Sequence, residues 1–426
     1  MNGKKSRDSQ GAISMMSSFG KQWAMRIEAA VEEHFVDPNG VVYSFLDKAT
    51  RRPPTDAFFV GAETSVRVPG VSDSDFHMHE NCGMCSGAYM QAMILKHQGT
   101  GDPSALARAR RCFGALRHIY EIGKELEPGF FPKIYGGRFS PQTSTDQVLY
   151  AVSAMDNFHS LANPDEKKAI GEMIPAMVEF WVKRQYRLTY YCEKDMLWPL
   201  DRFPSLLALA GIYSGREIFK TEYERLLPLT EHTDCSRIGR KLAGEVEPSE
   251  MERDAHSWLV SHSADAMTMA AMQYDLLLRN SPNDPMRGKW LAALRQMWDE
   301  SKLTLAPDGR CYTSVLVGMD DMKPRRTPVP SGGYPEPHGA ESSWSTMLVR
   351  GGLLALPYLP ERRDEIVQGA LATLSALDVD DFTYYDEPER FRPELRYKTR
   401  MLSGDAIANW LWAYWLMVAQ EPSAQL

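Results

Sequence analysis

The strongest constraint on the fold is a joint that recurs between pairs of helical segments. It consists of a polar residue followed by proline, and it stands at Asp102-Pro103, Asn163-Pro164 and Asp284-Pro285, with Leu359-Pro360 as a fourth case that lacks the polar residue. A polar N-cap satisfies backbone N–H groups that the start of a helix leaves unpaired, and proline at the first helical position has no N–H to lose. The pattern predicts four helical hairpins that share one joint.

The rest of the chain supplies the elements that complete such a series. DRFPSLLALAGIYSG and REIFKTEYERLL form a shorter hairpin, and SGDAIANWLWAYWLMVAQ is a final helix that can pair with an early helix around Met15 to Phe35. The first helix of each pair is apolar nearly all round, as buried helices are, whereas the second carries a polar stripe. Six such pairs predict an all-α protein, an (α/α)6 toroid with an inner and an outer ring of helices.

Strand signals are sparse, and the main one is CYTSVLVGM at 311–319. No change in composition marks a linker, so we expect a single domain over residues 1–426, with residues 1–17 as a flexible N-terminal extension.

Composition and charge exclude several classes of protein. The net charge of −8 argues against nucleic acid and anionic membranes as partners, since both need basic patches. No apolar run reaches transmembrane length, and the N-terminus lacks the apolar core of a secretory signal. Six cysteines in 426 residues make no disulfide framework, so we expect a cytoplasmic protein with free thiols.

Each predicted inner helix begins with an acid at or near its first turn: Glu80, Asp146, Asp201, Asp265, Glu341 and Asp405. Parallel inner helices bring all six N-termini to one end of the toroid and line a cup with carboxyl groups. One alternative is that these acids only cap helices and complement the helix dipole, and we expect this of Asp201 and Asp405.

The other four acids are candidates for catalysis: Asp146, Glu80, Glu341 and Asp265. Cleavage of a glycosidic bond needs one protonated carboxyl as acid and one carboxylate to activate water or attack the sugar. Asp146 is favoured because Ser144 or Thr145 can cap its helix and leave the acid free.

The stretch DFHMHENCGMC resembles a metal site because two histidines and a CxxC pair lie within it. A structural zinc site needs a second pair of ligands, and the chain has no other CxxC. Gly83 and Gly87 indicate tight helix packing, so we predict that Cys82 and Cys85 are small buried thiols and that the protein needs no metal or cofactor. His77 and His79 are then candidates to contact a substrate from the rim.

Loops that lead into the inner helices carry aromatic and basic residues that suit a sugar. Exposed aromatic rings stack on pyranose rings, and arginine binds a carboxylate through two parallel hydrogen bonds, which favours an anionic sugar such as a uronic acid. Just before Asp146, the loop FFPKIYGGRFSPQT holds Phe130, Phe131 and Tyr135. The further candidates for substrate binding are Arg138, Trp198, Tyr334, His338, Trp344, Arg396, Tyr397 and Arg400. The alternative is that the arginines pair with neighbouring acids.

The segments ENCGMCSGAYMQAM and TGDPSALARAR, followed one hairpin later by STDQVLYAV, resemble the six-hairpin glycosidase superfamily. Within it, the chain is most similar to bacterial hexuronidases of the unsaturated glucuronyl hydrolase and (α/α)6 β-glucuronidase type. The resemblance implies that Asp146 is the general acid and base. It places Glu80 at the position of a second aspartate, where this chain has glutamate instead.

Three functions stay open at this point. The first is a glycoside hydrolase that cleaves a uronate-bearing oligosaccharide or glycoside by carboxylate acid–base catalysis. The second is a polysaccharide lyase or sugar epimerase on the same barrel, with His77, His79, His338 or Tyr397 as the base. The third is a carbohydrate-binding protein without catalysis. The sequence also leaves homo-oligomer formation open.

Overall fold

The computed structural model describes residues 20–64, 68–190, 193–198, 200–231, 269–300, 304–305, 311–312, 315–317, 324–326, 342–383 and 393–420. The statements below refer to these residues.

Helices dominate the structure, in agreement with the predicted all-α class. In chain order they are α1 (20–30), α2 (Asp73–His79), α3 (Cys82–Thr100), α4 (Pro103–Lys124), α5 (Thr145–Phe158), α6 (Pro164–Lys183), α7 (Pro204–Ser214), α8 (Glu217–Leu226), α9 (Ala271–Asn280), α10 (Arg287–Glu300), α11 (Ser342–Ala355), α12 (Arg363–Ala376) and α13 (Gly404–Ala419). One π-helical turn, Val31–Phe35, extends α1.

Six of these helices form an inner ring, in the order α3, α5, α7, α9, α11 and α13, and α13 packs against α3 to close it. The outer helices are α4, α6, α8, α10 and α12, each of which follows its inner partner in the chain, while α1 supplies the outer partner of α13. Residues 404–417 of α13 are buried without exception, as expected for an inner helix. The (α/α)6 toroid predicted from the hairpin pattern is confirmed.

The first two joints have the polar cap and the helical proline that the sequence predicts, whereas the helices after the other two begin later. Asp102 Oδ1 accepts a hydrogen bond from the Ser104 N–H at 2.8 Å, and Pro103 is the first residue of α4. Asn163 and Glu166 form a reciprocal capping box at the start of α6. Asp284 accepts from the Met286 N–H at 2.8 Å, and α10 begins one residue later. The fourth joint begins with a 3-10 turn, Pro360–Arg362, before α12.

The strands are short and pair antiparallel. They are β1 (Phe45–Asp47), β2 (Arg187–Tyr190), β3 (Glu193–Leu197), β4 (Thr304–Leu305), β5 (Cys311–Tyr312), β6 (Val315–Val317), β7 (Pro324–Arg326) and β8 (Met401–Ser403). The pair β1–β8 ties the N-terminal region to the start of α13. Strands β5 and β6 fall within the predicted stretch 311–319, and each pairs with a different neighbour.

Inner helices α3 and α5 approach each other closely at two glycines. A Cβ atom at Gly87 would lie 2.9 Å from the Tyr150 carbonyl oxygen, and one at Gly83 would lie 2.5 Å from Gln147 Oε1. The predicted tight packing of these glycines is confirmed, and it brings the first turns of the two helices together. None of the described helices combines the length and the apolarity that a membrane crossing needs.

Candidate active site

Three of the six acids have described side chains, and all three lie at one end of the toroid. Glu80 immediately precedes α3, while Asp146 and Asp405 occupy the first turns of α5 and α13. Asn81 Nδ2 donates to Asp405 Oδ2 at 2.8 Å, and Gln147 Nε2 donates to the Glu80 carbonyl oxygen at 2.8 Å. These bonds join three helix starts into one cluster, as the parallel inner helices predict.

Asp405 is buried at 3% exposure and does not cap its helix. Ser403 Oγ does so by accepting from the Ala406 N–H at 3.2 Å, so the expectation that Asp405 is a cap is wrong. The Asp405 carboxyl instead accepts from Cys85 Sγ at 3.1 Å and from Asn81. Burial raises the pKa of Asp405 to about 7; the two hydrogen bonds oppose that rise, and the negative charge of Asp146 adds to it.

Glu80 is held in an ion pair with Lys133, the lysine of the loop before α5. Tyr135 OH also donates to Glu80 Oε2 at 2.9 Å. Burial on its own would lower the pKa of Lys133. Electrostatic interactions with Glu80, two tyrosines and Asp146 outweigh the effect of burial, so the pKa of Lys133 is raised well above its ordinary value. The ammonium group is thus a fixed positive charge beside the carboxyl cluster.

Asp146 is half-buried, and its Oδ1 atom is buried without a hydrogen-bond partner among the described residues. Its helix is not capped as predicted. Ser144 makes no capping bond, and Thr145 Oγ1 accepts from Arg202 Nη1 at 3.1 Å. The argument that a neighbouring hydroxyl caps the helix and leaves Asp146 free is therefore wrong, yet one oxygen of the carboxyl is unpaired all the same.

A buried network that sequence reasoning missed lies one to two turns deeper. Arg350 Nη2 donates to Tyr150 OH at 2.7 Å, and Arg350 Nε donates to Asn409 Oδ1 at 3.2 Å. The guanidinium carbon lies 4.7 Å from the ring centre of Trp412. The available signal was a single arginine within the otherwise uncharged inner helix SSWSTMLVRGGLLA. This network fills the barrel beneath the carboxyl cluster.

Cys82 and Cys85 are both fully buried in the first turn of α3, as predicted. Burial raises the pKa of Cys82 to about 12 and raises that of Cys85 well above its ordinary value. Cys85 does more than fill space, because its thiol donates to Asp405.

His77 and His79, predicted at the rim, are each only 3% exposed. His77 stacks on Phe59 at 4.7 Å and lies edge-on to Tyr397 at 5.6 Å, and the Tyr397 side chain is 2% exposed. His79 lies 4.0 Å from Asp37 Oδ2. Burial lowers the pKa of each histidine to about 4. His77 and Tyr397 thus belong to one packed aromatic cluster with Phe59, whereas His79, the residue before Glu80, packs against Tyr43.

The predicted arginines lie on the surface. Arg138 pairs with Asp75, and the Arg400 guanidinium lies 4.6 Å from the ring centre of Phe58. Arg396 is exposed in the 3-10 helix Pro393–Arg400. For Arg138, the alternative of a local ion pair holds.

The aromatic residues of the loops are less exposed than expected. Phe130, Phe131 and Tyr135 are at most 4% exposed, so the expectation of exposed stacking rings in this loop is wrong. Trp198 is 6% exposed and lies edge-on to Tyr190 at 5.1 Å. The remaining predicted site residues fall outside the described residues or have undescribed side chains: Asp201, Asp265, Tyr334, His338, Glu341 and Trp344.

No family model and no curated protein matches the chain in sequence. Solved structures do match over nearly its whole length. A cellobiose 2-epimerase from Bacillus thermoamylovorans B4167 is 11% identical with a TM-score of 0.52, covering 95% of this chain and 99% of its own. A sugar epimerase from a ruminal bacterium is 8% identical with a TM-score of 0.50, covering 95% and 98%. An alpha-amylase from Clostridium perfringens is 8% identical with a TM-score of 0.50, covering 92% and 97%. At this identity the likeness shows the fold, which this chain shares with enzymes named for their action on carbohydrates.

Proposed function

We propose that the protein is a carbohydrate-active enzyme, and specifically a glycoside hydrolase that cleaves a uronate-bearing saccharide. The observation that carries the proposal is the cluster of Glu80, Asp146 and Asp405 at one end of the inner ring, with one unpaired oxygen on Asp146. Sugar-processing enzymes with the same fold, an alpha-amylase among them, support the substrate class.

The three carboxyls have different surroundings, and this suits acid–base work. Asp405 is buried and retains its proton up to a pH of about 7, whereas the Glu80 carboxylate lies against the Lys133 ammonium. Groups whose environments separate their protonation states can divide the roles of acid and base. Glu80 and Asp146 are both partly buried, but Asp146 is the one with a carboxyl oxygen that has no hydrogen-bond partner among the described residues, so we assign Asp146 to proton transfer at the glycosidic oxygen.

Glu80 is the matching second carboxyl. It is 14% exposed, and Lys133 and Tyr135 fix its direction. In this assignment Glu80 activates water or stabilises positive charge on the sugar ring, while Asp146 protonates the leaving oxygen. Asp405 is neutral while it holds its proton. Repulsion among the three carboxyl groups of the cluster is therefore smaller than it would be if all three were ionised.

The uronate part of the proposal is supported by positive charge around the carboxyls. Inner-helix N-termini point positive dipole ends at the cluster, and Lys133 and Arg350 are buried beside and beneath it. Exposed Arg396 and Arg400 are further cations in the 3-10 helix Pro393–Arg400, which precedes β8 and α13 in the chain. These positive charges attract a saccharide that carries one carboxylate more strongly than they attract a neutral saccharide.

The epimerase alternative is favoured by the two epimerases that share the fold. It needs a base such as His77, His79 or Tyr397, and all three are buried in packed surroundings. The carboxyl cluster therefore favours hydrolysis.

The test is the turnover of Asp146→Asn on aryl glucuronides and aryl glucosides. Asparagine keeps the shape but cannot titrate, so the rate should fall by about 10²–10⁴-fold while the melting temperature is retained. Asp165→Asn, at an exposed position in the first turn of outer helix α6, is the matched control and should keep the rate. A near-wild-type rate for Asp146→Asn would show that Asp146 is not catalytic. Equal rates on the glucoside and the glucuronide would show that the enzyme does not select a uronate.

A further inference from the structure

Four buried polar atoms near the starts of α5 and α7 have no hydrogen-bond partner within the described part of the chain. They are Ser144 Oγ, Asp146 Oδ1, Trp198 Nε1 and Ser205 Oγ. Ser144 and Ser205 are 2% and 1% exposed, and Trp198 is 6% exposed. Buried polar groups in native proteins are nearly always paired, and exceptions mark the place of a water molecule or a ligand.

These atoms belong to one region of the fold. Ser144 and Asp146 flank Thr145, whose hydroxyl bonds Arg202 at 3.1 Å, and Arg202 stands three residues before Ser205. On the other side, the Asp146 charge acts on Lys133, which lies 5.8 Å from the ring centre of Tyr190. Tyr190 in turn lies 5.1 Å from Trp198.

The four atoms differ in whether they can donate or accept a hydrogen bond. A serine hydroxyl donates or accepts, an indole N–H only donates, and a carboxyl oxygen that carries no proton only accepts. An ionised phosphate or carboxylate offers only acceptors, so it cannot donate a hydrogen bond to the unpaired oxygen of Asp146. A pyranose ring suits the set, because each of its hydroxyls both donates and accepts.

We infer that the starts of α5 and α7 form a subsite for the hydroxyl groups of one pyranose unit, bound by Ser144, Ser205 and Trp198 next to Asp146. The inference rests on the proposed function and specifies where the sugar ring binds. Because Asp146 is part of it, this subsite takes the neutral hydroxyls, and any uronate carboxylate lies elsewhere.

The experiment measures binding and stability on the same variants. The probes are phenyl 1-thio-β-D-glucuronide and phenyl 1-thio-β-D-glucoside, whose sulfur linkage resists hydrolysis, titrated by calorimetry. Ser144→Ala and Ser205→Ala should each raise Kd by roughly two- to ten-fold, as expected for a lost hydrogen bond. The increase in Kd should be the same for each of the two probes that binds, since both probes carry the same ring hydroxyls at positions 2, 3 and 4.

The unliganded variants should melt no lower than the wild type, because each substitution removes an unpaired buried hydroxyl. Ser153→Ala is the matched control: Ser153 is a buried serine of the same helix α5, and it accepts from Gln91 Nε2 at 3.0 Å. This variant should melt lower and keep the wild-type Kd.

Unchanged Kd values in Ser144→Ala and Ser205→Ala, with the wild type still binding a probe, would overturn the subsite and leave the hydrolase proposal standing. Lower melting in these two variants, as in Ser153→Ala, would also overturn it, because the hydroxyls would then be structural. Failure of the wild type to bind either probe would overturn both proposals. Binding of the glucoside alone would contradict only the proposed preference for a uronate, and the subsite would still be supported.

Discussion

The buried carboxyl of Asp405 makes the stability of this protein depend on pH in a direction unusual for an aspartate. In the unfolded chain the group ionises near its ordinary pKa of 3.8, whereas in the folded protein it keeps its proton up to about pH 7. The folded state therefore binds more protons than the unfolded state between these values. The contribution of Asp405 to stability therefore falls as pH rises through this window, and its full loss is present above pH 7.

Replacing Asp405 with asparagine removes the titration and keeps the side-chain size. The amide oxygen can still accept from Asn81 Nδ2, which donates to the wild-type carboxyl at 2.8 Å. Between pH 5 and pH 8 the wild type should lose stability relative to Asp405→Asn over about two pH units. At about 1.4 kcal/mol per unit, the relative loss is about 3 kcal/mol.

The assay is urea unfolding of both proteins at pH 5, 6, 7 and 8, with the free energy of unfolding extrapolated to water at each pH. Asp165→Asn is the control, since its exposed carboxyl is not desolvated by folding; its curve should run parallel to that of the wild type. Parallel curves for wild type and Asp405→Asn would show that Asp405 ionises alike in both states, and the account of its burial would be wrong.

Two further predictions concern other buried charges. Lys133→Met leaves Glu80 without its ion-pair partner and should lower the free energy of unfolding, measured in urea, by about 3 kcal/mol. Arg138→Met breaks an exposed ion pair and should change the free energy of unfolding by less than about 1 kcal/mol. Equal losses in the two variants would contradict the burial of Lys133. His79 should make a contribution of opposite sign to that of Asp405: it should destabilise the folded protein as pH falls from 6.5 towards 4, because the unfolded chain protonates this histidine while the folded chain, in which its pKa is about 4, does not. Relative to the wild type, His79→Gln should therefore gain stability as pH falls from 6.5 towards 4, and an unchanged difference between the two proteins would refute the account.

The hairpins were predictable from the sequence because their signals are local. Asp102 and Asn163 cap the helices that the proline joints predict, since capping involves atoms only two or three residues apart. The apolar inner helices and striped outer helices follow from periodicity alone. Since all inner helices run the same way, the gathering of Glu80, Asp146 and Asp405 at one end was also predictable.

The properties of the candidate site were decided by tertiary packing. Nothing near Asp405 in the chain shows that it is buried against Asn81, 324 residues away. Likewise, Lys133 finds its partner Glu80 at a separation of 53 residues. The sequence by itself determined which helices form and which of their ends meet. Only the folded structure decided which carboxyl keeps its proton and which polar atoms lack a partner, because desolvation and hydrogen bonding depend on groups that the closed ring brings together from distant parts of the chain.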